Sequence, residues 1–158
     1  MSASPKALLF ICTGNICRSP FAEAWARMRL SASGRDDVLV ASAGLQAVEG
    51  GAVPVVGQLA ASELGVNLSE HRGRQVSEAL LRGADRVLVM EPHHADDLAE
   101  RFELGAPPIL SRWAPGPVRP PGIPDPYRGP RWAYLTCYQL IASCVDHLLI
   151  DEGLIPRL

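Results

Sequence analysis

An apolar run that ends on a cysteine and passes, within a few residues, into a helix start is the feature that most restricts how this chain can fold. Lys6 to Ile11 reads as a short buried strand, and Phe21, Trp25 and Met28 repeat at helical spacing after Ser19 and Pro20. A serine at the N-cap followed by a proline in the first helical position is a strong start signal. What lies between, Cys12-Thr13-Gly14-Asn15-Ile16-Cys17-Arg18, has room only for a tight loop. A strand, a tight loop and a helix N-terminus in direct succession belong to an α/β fold.

The rest of the chain continues that alternation. Val38 to Ala41 reads as a second strand, and Pro54 opens a helical stretch through Val55, Val56, Leu59, Ala60 and Leu64 that Gly65 closes. Ser77 caps a short helix through Leu81, and Val87 to Met90 is a continuous apolar run suited to a central parallel strand. Pro92 starts a helix through about Phe102, Gly105 follows its end, and Ile109 with Leu110 forms a weaker strand candidate. Most of the prolines fall between Pro107 and Pro130, which predicts a long irregular segment with a functional purpose. A final helix from about Arg131 to Asp151 places Ala133, Cys137, Leu140, Ile141, Cys144 and Leu148 on one face. The expected architecture is a single domain over residues 1–158: a four-stranded parallel sheet with helices on both faces and a phosphate-binding loop after the first strand.

Composition narrows the function classes. With 158 residues and 47% hydrophobic content the chain can bury one core. A formal net charge of -2 and scattered Lys and Arg give no footprint for nucleic acid. The apolar run from Ala7 to Ile11 is too short for a signal-peptide core or a membrane span, so a cytoplasmic protein is expected. In a reducing compartment the four cysteines are read one by one rather than as a disulfide framework. His93 and His94 are adjacent, point in different directions on a helix and read as solvated surface, so neither a metal nor another cofactor is expected.

The loop itself carries chemistry. A cysteine at a strand end, with arginine and serine at the following helix start, assembles the parts needed to attack a phosphate. Backbone N–H groups and the helix dipole make an anion cradle. Gly14 permits a tight turn, Asn15 tolerates a left-handed conformation, and Arg18 offers a planar fork to two phosphate oxygens. The same positive field favours the thiolate of Cys12, and the Ser19 hydroxyl is placed to support that charge.

Cys12 to Pro20 resembles the nucleophile loop of the low molecular weight protein tyrosine phosphatases. Ile123-Pro124-Asp125-Pro126-Tyr127-Arg128 resembles the general-acid loop of that family, and Ser42-Ala43-Gly44, His71 to Gln75 and Val87 to Glu91 resemble other family segments in order and spacing. The resemblance implies that Cys12 attacks phosphorus to give a phosphocysteine, Arg18 holds the equatorial oxygens, and Asp125 protonates the leaving phenolate before serving as base for the hydrolytic water. It implies a phosphate cradle of Thr13, Gly14, Asn15, Ile16 and Cys17, and a supporting hydrogen-bond network of Asn15, Ser19, Ser42 and His71. An acid that must carry its proton predicts an acidic optimum.

Many relatives carry an aromatic residue where this chain has Val48, so one wall of the substrate crevice is expected to be aliphatic and the other to be Tyr127. Glu91-Pro92-His93-His94 and Asp125-Pro126-Tyr127-Arg128 look closest to the bacterial branch found with exopolysaccharide export. That likeness implies a tyrosine-phosphorylated protein as partner, the tail of a membrane tyrosine autokinase. Cys17 has two readings, a reversible disulfide with Cys12 that protects the nucleophile or a small side chain packed beneath the loop. His71 has two as well, network member or satisfied structural histidine. Cys137 and Cys144 read as core, and Arg72 and Arg74 as surface charges. A thiol-coupled arsenate reductase and a non-catalytic phosphotyrosine-binding or redox-sensing module are the competing functions.

Overall fold

A computed structural model describes residues 3–157; residues 1, 2 and 158, included in the expectations for the N-terminus and the domain bounds, lie outside it. Strand β1 (Ala7–Cys12) is central, paired in parallel with β2 (Leu39–Gly44) on one side and β3 (Arg86–Val89) on the other. Side chains alternate along β1: Leu8, Phe10 and Cys12 join one apolar cluster, while Leu9 and Ile11 join another. Both clusters are covered by helices, which is why the strand reads as an unbroken apolar run. Helices α1 (Arg18–Ala32), α2 (Val55–Glu63) and α5 (Arg131–Asp151) enclose the larger cluster, and α3 (Glu78–Arg82) with α4 (Pro92–Phe102) close the smaller.

Among the described residues the sheet has three strands, not four. Ile109 makes only an isolated parallel bridge to Val89, because Leu110 turns at once into a 3₁₀ helix, Leu110–Trp113. The Val87 to Met90 run is accordingly flanked by β1 on one side and a single bridge on the other, and β1 takes the central position.

Two details of α1 also differ from expectation. Its first residue is Arg18 with Cys17 at the cap, because the Ser19 hydroxyl is turned toward Cys12 and caps nothing. Its buried face is Phe21, Ala22, Ala26 and Leu30; Met28 is exposed, and Trp25 is half-buried with its indole donating to Asp146 Oδ1 at 2.8 Å. Phe21 stacks on Tyr138 of α5 with ring centroids 4.3 Å apart, a contact worth about 0.5–1.5 kcal/mol beyond its burial. Helix α5 is long and apolar enough to cross a membrane by composition, yet Tyr134, Tyr138, Ile141, Val145 and Leu149 all pack into the core.

Candidate active site

Cys12 closes β1 opposite Gly44, and the chain after it wraps back toward the first turn of α1. The close approach of these segments depends on glycine at Gly44, where a Cβ would sit 2.5 Å from the Thr13 carbonyl oxygen and 3.0 Å from the Asn15 nitrogen. Asn15, with φ of 57°, makes the left-handed turn. Gly14 needs no positive φ and a Cβ there meets only ordinary contacts; its neighbours are Ile16 and Val48, so its lack of a side chain keeps space open rather than turning the chain.

Asn15 is fully buried and bonds on every side. Its Nδ2 donates to Ser19 Oγ at 2.8 Å and to Ser42 Oγ at 2.9 Å, and its Oδ1 accepts the Arg74 N–H at 3.0 Å. The Asn15 carbonyl accepts from His71 Nε2 at 2.8 Å. Ser42 passes its own proton to Glu23 Oε1 at 2.6 Å. Since Ser19 Oγ is already accepting from Asn15, its hydroxyl proton is directed to Cys12 Sγ, 2.8 Å away. Arg72 and Arg74 are both exposed, as surface charges would be; Arg74 also donates from Nε to the Ser42 carbonyl at 3.0 Å, and Arg72 bonds its own loop.

Arg18 is 1% exposed. Nη1 donates to Glu91 Oε2 at 2.6 Å and to the Ile123 carbonyl at 2.7 Å, while Nη2 lies 3.5 Å from Asp125 Oδ2. Its Nε is a buried donor with no partner among the described residues. Burial opposes the guanidinium charge, but Glu91, Cys12 and Asp125 outweigh it and raise the Arg18 pKa above its usual value. Glu91 is likewise penalised by burial, yet the hydrogen bond and charge of Arg18 hold its carboxyl below the usual range. An unpaired donor on a charged, buried group is a standing attraction for an anion.

Ile123 ties the proline-rich segment to the sheet, its N–H donating to the Met90 carbonyl at 2.7 Å. Asp125 follows, 43% exposed at its side chain, with Oδ1 accepting the Tyr127 N–H at 3.0 Å. Cys12, Thr13, Gly14, Ile16, Cys17, Arg18, Val48, Asp125 and Tyr127 line one crevice of about 190 Å³, so the structure brings these expected site residues together. Asn15 does not line it, because its side chain is committed to the network behind the loop. Gln46 does, and nothing in the sequence singled it out.

Glu91 and His94 are further participants that sequence reasoning missed. His94 is buried, not solvated: Nδ1 accepts the Glu91 N–H at 3.0 Å, which places the ring proton on Nε2, where it donates to Thr13 Oγ1 at 2.8 Å. Burial first, then the nearby Arg18 charge, pushes its pKa down to about 4. The adjacent histidines also come closer than expected, with ring centroids 4.2 Å apart and ligand-type atoms of Glu91, His93 and His94 within 4.8 Å of one another. Those of Glu91 and His94 are already engaged by Arg18, Thr13 and the backbone, so the trio does not suit a metal ion. The available signal was a glutamate directly at the end of an apolar strand, and a histidine in the first turn after it.

All four thiols are free. Cys17 Sγ lies 3.5 Å from the Tyr134 hydroxyl, and burial pushes its thiol up to about 12. Cys137 and Cys144 are buried on α5; burial raises both, Cys144 to about 12.

A sequence profile of the family described as low molecular weight phosphotyrosine protein phosphatase matches residues 7–154. The low molecular weight protein-tyrosine-phosphatase Wzb of Escherichia coli K12 is 37% identical over 137 residues, covering 85% of this chain and 86% of that protein. The crystal structure of the Erwinia amylovora tyrosine phosphatase AmsI is similar with a TM-score of 0.83 at 28% identity, covering 97% of this chain and 95% of that one. The arginine phosphatase YwlE of Geobacillus stearothermophilus is similar with a TM-score of 0.80 at 32% identity, covering 94% of each chain.

Proposed function

This chain belongs to the low molecular weight phosphotyrosine protein phosphatase family, and from that membership we propose that it hydrolyses phosphotyrosine in proteins through a phosphocysteine at Cys12. The observation that carries the mechanism is the buried Arg18, anchored on one edge by Glu91 and Ile123 and left with an unpaired Nε beside the nucleophile loop. The Cys12 sulfur attacks phosphorus, the loop and Arg18 hold the oxygens, and the tyrosine oxygen leaves with a proton from Asp125. Water then attacks the phosphocysteine, Asp125 takes back a proton, and inorganic phosphate departs from the restored thiolate, which the Ser19 hydroxyl stabilises.

Thr13, Gly14, Ile16 and Cys17 form the phosphate end of the crevice, and Val48 with Tyr127 its outer walls. Apolar walls suit an aromatic ring over the charged guanidinium of phosphoarginine. Asn15, Ser19, Ser42 and His71 hold the loop's shape. Cys17 is the partner for a protective disulfide once Cys12 is oxidised to a sulfenic acid, since that electrophile condenses with a neighbouring thiol and releases water. In this reading the protein forms one domain over 1–158, works in the cytoplasm and acts on the tyrosine-rich tail of a membrane autokinase of polysaccharide export.

The test offers phosphotyrosine, phosphoserine, phosphothreonine and phosphoarginine peptides in one assay with chelator present. Phosphate release from phosphotyrosine, abolished in Cys12→Ser, is expected; preference for phosphoarginine, or equal rates for wild type and Cys12→Ser, overturns the reading.

A further inference from the structure

Eight of the fourteen arginines are ion-paired with carboxylates. Of the remaining six, Arg72 and Arg74 bond backbone carbonyls and Arg128 lies over the Tyr127 ring. The three left over, Arg112, Arg119 and Arg157, have no ion-pair partner among the described residues, and all three line one open groove of about 490 Å³. In a chain whose formal net charge is -2, such a concentration of unneutralised guanidinium groups runs against the overall sign.

The groove lies between the end of the 3₁₀ helix with the residues after it, Arg112 to Arg119, and the last turns of α5, with Arg157 beyond that helix. Among the described residues Asp151 is its only carboxylate, and it accepts the Trp113 indole N–H at 3.1 Å, while Arg112 lies over that ring at 5.5 Å. His147 contributes a further polar edge, its Nδ1 engaged with the Ser143 carbonyl at 2.7 Å. Tyr134, beside Cys17, and His147 are thirteen residues apart on α5, about 20 Å along its axis. Trp132, Thr136, Gln139 and His147 recur along the exposed side of that helix, and the next exposed carboxylate, Asp151, is the one already engaged by Trp113. An extended chain covers that distance in about six to ten residues, allowing for the curvature of the surface.

We propose that this groove docks an acidic segment of the protein substrate, about six to ten residues from the phosphotyrosine. The proposal rests on the reading that the substrate is a phosphorylated protein. Separated guanidinium groups in a concave, open groove match carboxylates spread along an extended chain. Exposed charge pairs are individually weak, so the advantage should be modest and sensitive to salt.

The experiment compares three phosphotyrosine peptides sharing one core: the core alone, the core with an acidic stretch six to ten residues away on either side, and the same extension in serine and glycine. For the wild type the acidic extension is expected to lower KM by roughly 3- to 10-fold relative to the other two, with kcat unchanged and the advantage lost at high salt. Arg112→Glu/Arg119→Glu/Arg157→Glu should abolish it while leaving the short peptide unaffected. Arg119→Ala/Arg157→Ala, at two exposed positions, repeats the test without reversing charge. Equal KM values for all three peptides overturn the proposal, as does loss of anionic-vesicle binding in the variants without any peptide effect, which would assign the groove to a lipid surface. Absence of turnover on the short peptide would instead sink the phosphatase reading.

Discussion

Arg18 at the start of α1 and Glu91 at the cap of α4 meet at 2.6 Å, seventy-three positions apart in the chain. The contact spends one edge of the guanidinium on the protein and leaves the other for an anion. Glu91→Gln keeps an acceptor but removes the charge, and we expect kcat/KM on an aryl phosphate to fall about tenfold, with the larger loss, about 100-fold, in Glu91→Ala. Weaker inhibition by inorganic phosphate should accompany both. Unchanged phosphate inhibition would show that Glu91 does not orient the fork.

Asp125 stands 3.5 Å from Arg18 Nη2 and borders the crevice. Asp125→Asn should slow phenyl phosphate by roughly 10²–10⁴ but an aryl phosphate with a strongly acidic phenol by less than about tenfold, because only the poorer leaving group needs the proton. Steady-state rates across a series of phenols measure this as a steeper dependence on leaving-group acidity. Equal losses across the series would remove Asp125 from the acid role.

His94 predicts a pH window for stability. Its folded pKa, about 4, lies below the ordinary 6.5, so between those values the unfolded chain binds the extra proton and stability falls as pH is lowered. The contribution is intact above about pH 6.5, declines toward about pH 4 and amounts to at most about 3 kcal/mol. The depressed Glu91 carboxyl acts in the same direction at still lower pH, its contribution present above 4.5 and lost as pH falls through its folded value. Urea midpoints from pH 4 to 7 should therefore slope more steeply for wild type than for His94→Gln. Parallel slopes would mean that His94 titrates normally.

Asn15 combines a left-handed backbone with a fully bonded side chain. Asn15→Ala should cost about 2 to 4 kcal/mol by adding strain to three lost hydrogen bonds. Asn15→Gly relieves the strain alone and should recover part of the stability, while activity stays low in both because Ser19 loses the donor that aims its hydroxyl at Cys12. Denaturation and turnover measured together separate the two effects; full activity in Asn15→Gly would make the network dispensable.

The strand, the tight loop and the approximate helix start around Cys12 were legible because each is signalled by neighbours in sequence: an apolar run, a proline suited to a first helical turn, a residue that accepts positive φ; Ser19 was misread as the cap because its hydroxyl serves Cys12 instead. The bounds of helix α5, Arg131 to Asp151, were readable for the same reason, but its inner face only in part: Cys137, Ile141, Cys144 and Leu148 are buried as expected, Ala133 and Leu140 only partly, and Tyr134, Tyr138, Val145 and Leu149 complete the face. The fourth strand was not, since Ile109 is apolar enough for a strand but only the turn at Leu110 limits it to one bridge. Met28 was misread because periodicity identifies a stripe without saying which stripe the core chooses, and the core chose the small side chains of Ala22 and Ala26 against α5.

By itself the sequence determined which residues are proposed to react, Cys12, Arg18 and Asp125, and that the first two flank a tight loop between a strand and a helix. Tertiary structure alone decided several of the partners that hold the loop: Glu91 for Arg18, His94 for Thr13 and Arg74 for Asn15. The reason is that a buried charge or amide must find a partner wherever the fold brings one, and sequence states which groups need partners without stating which distant residue arrives to meet them.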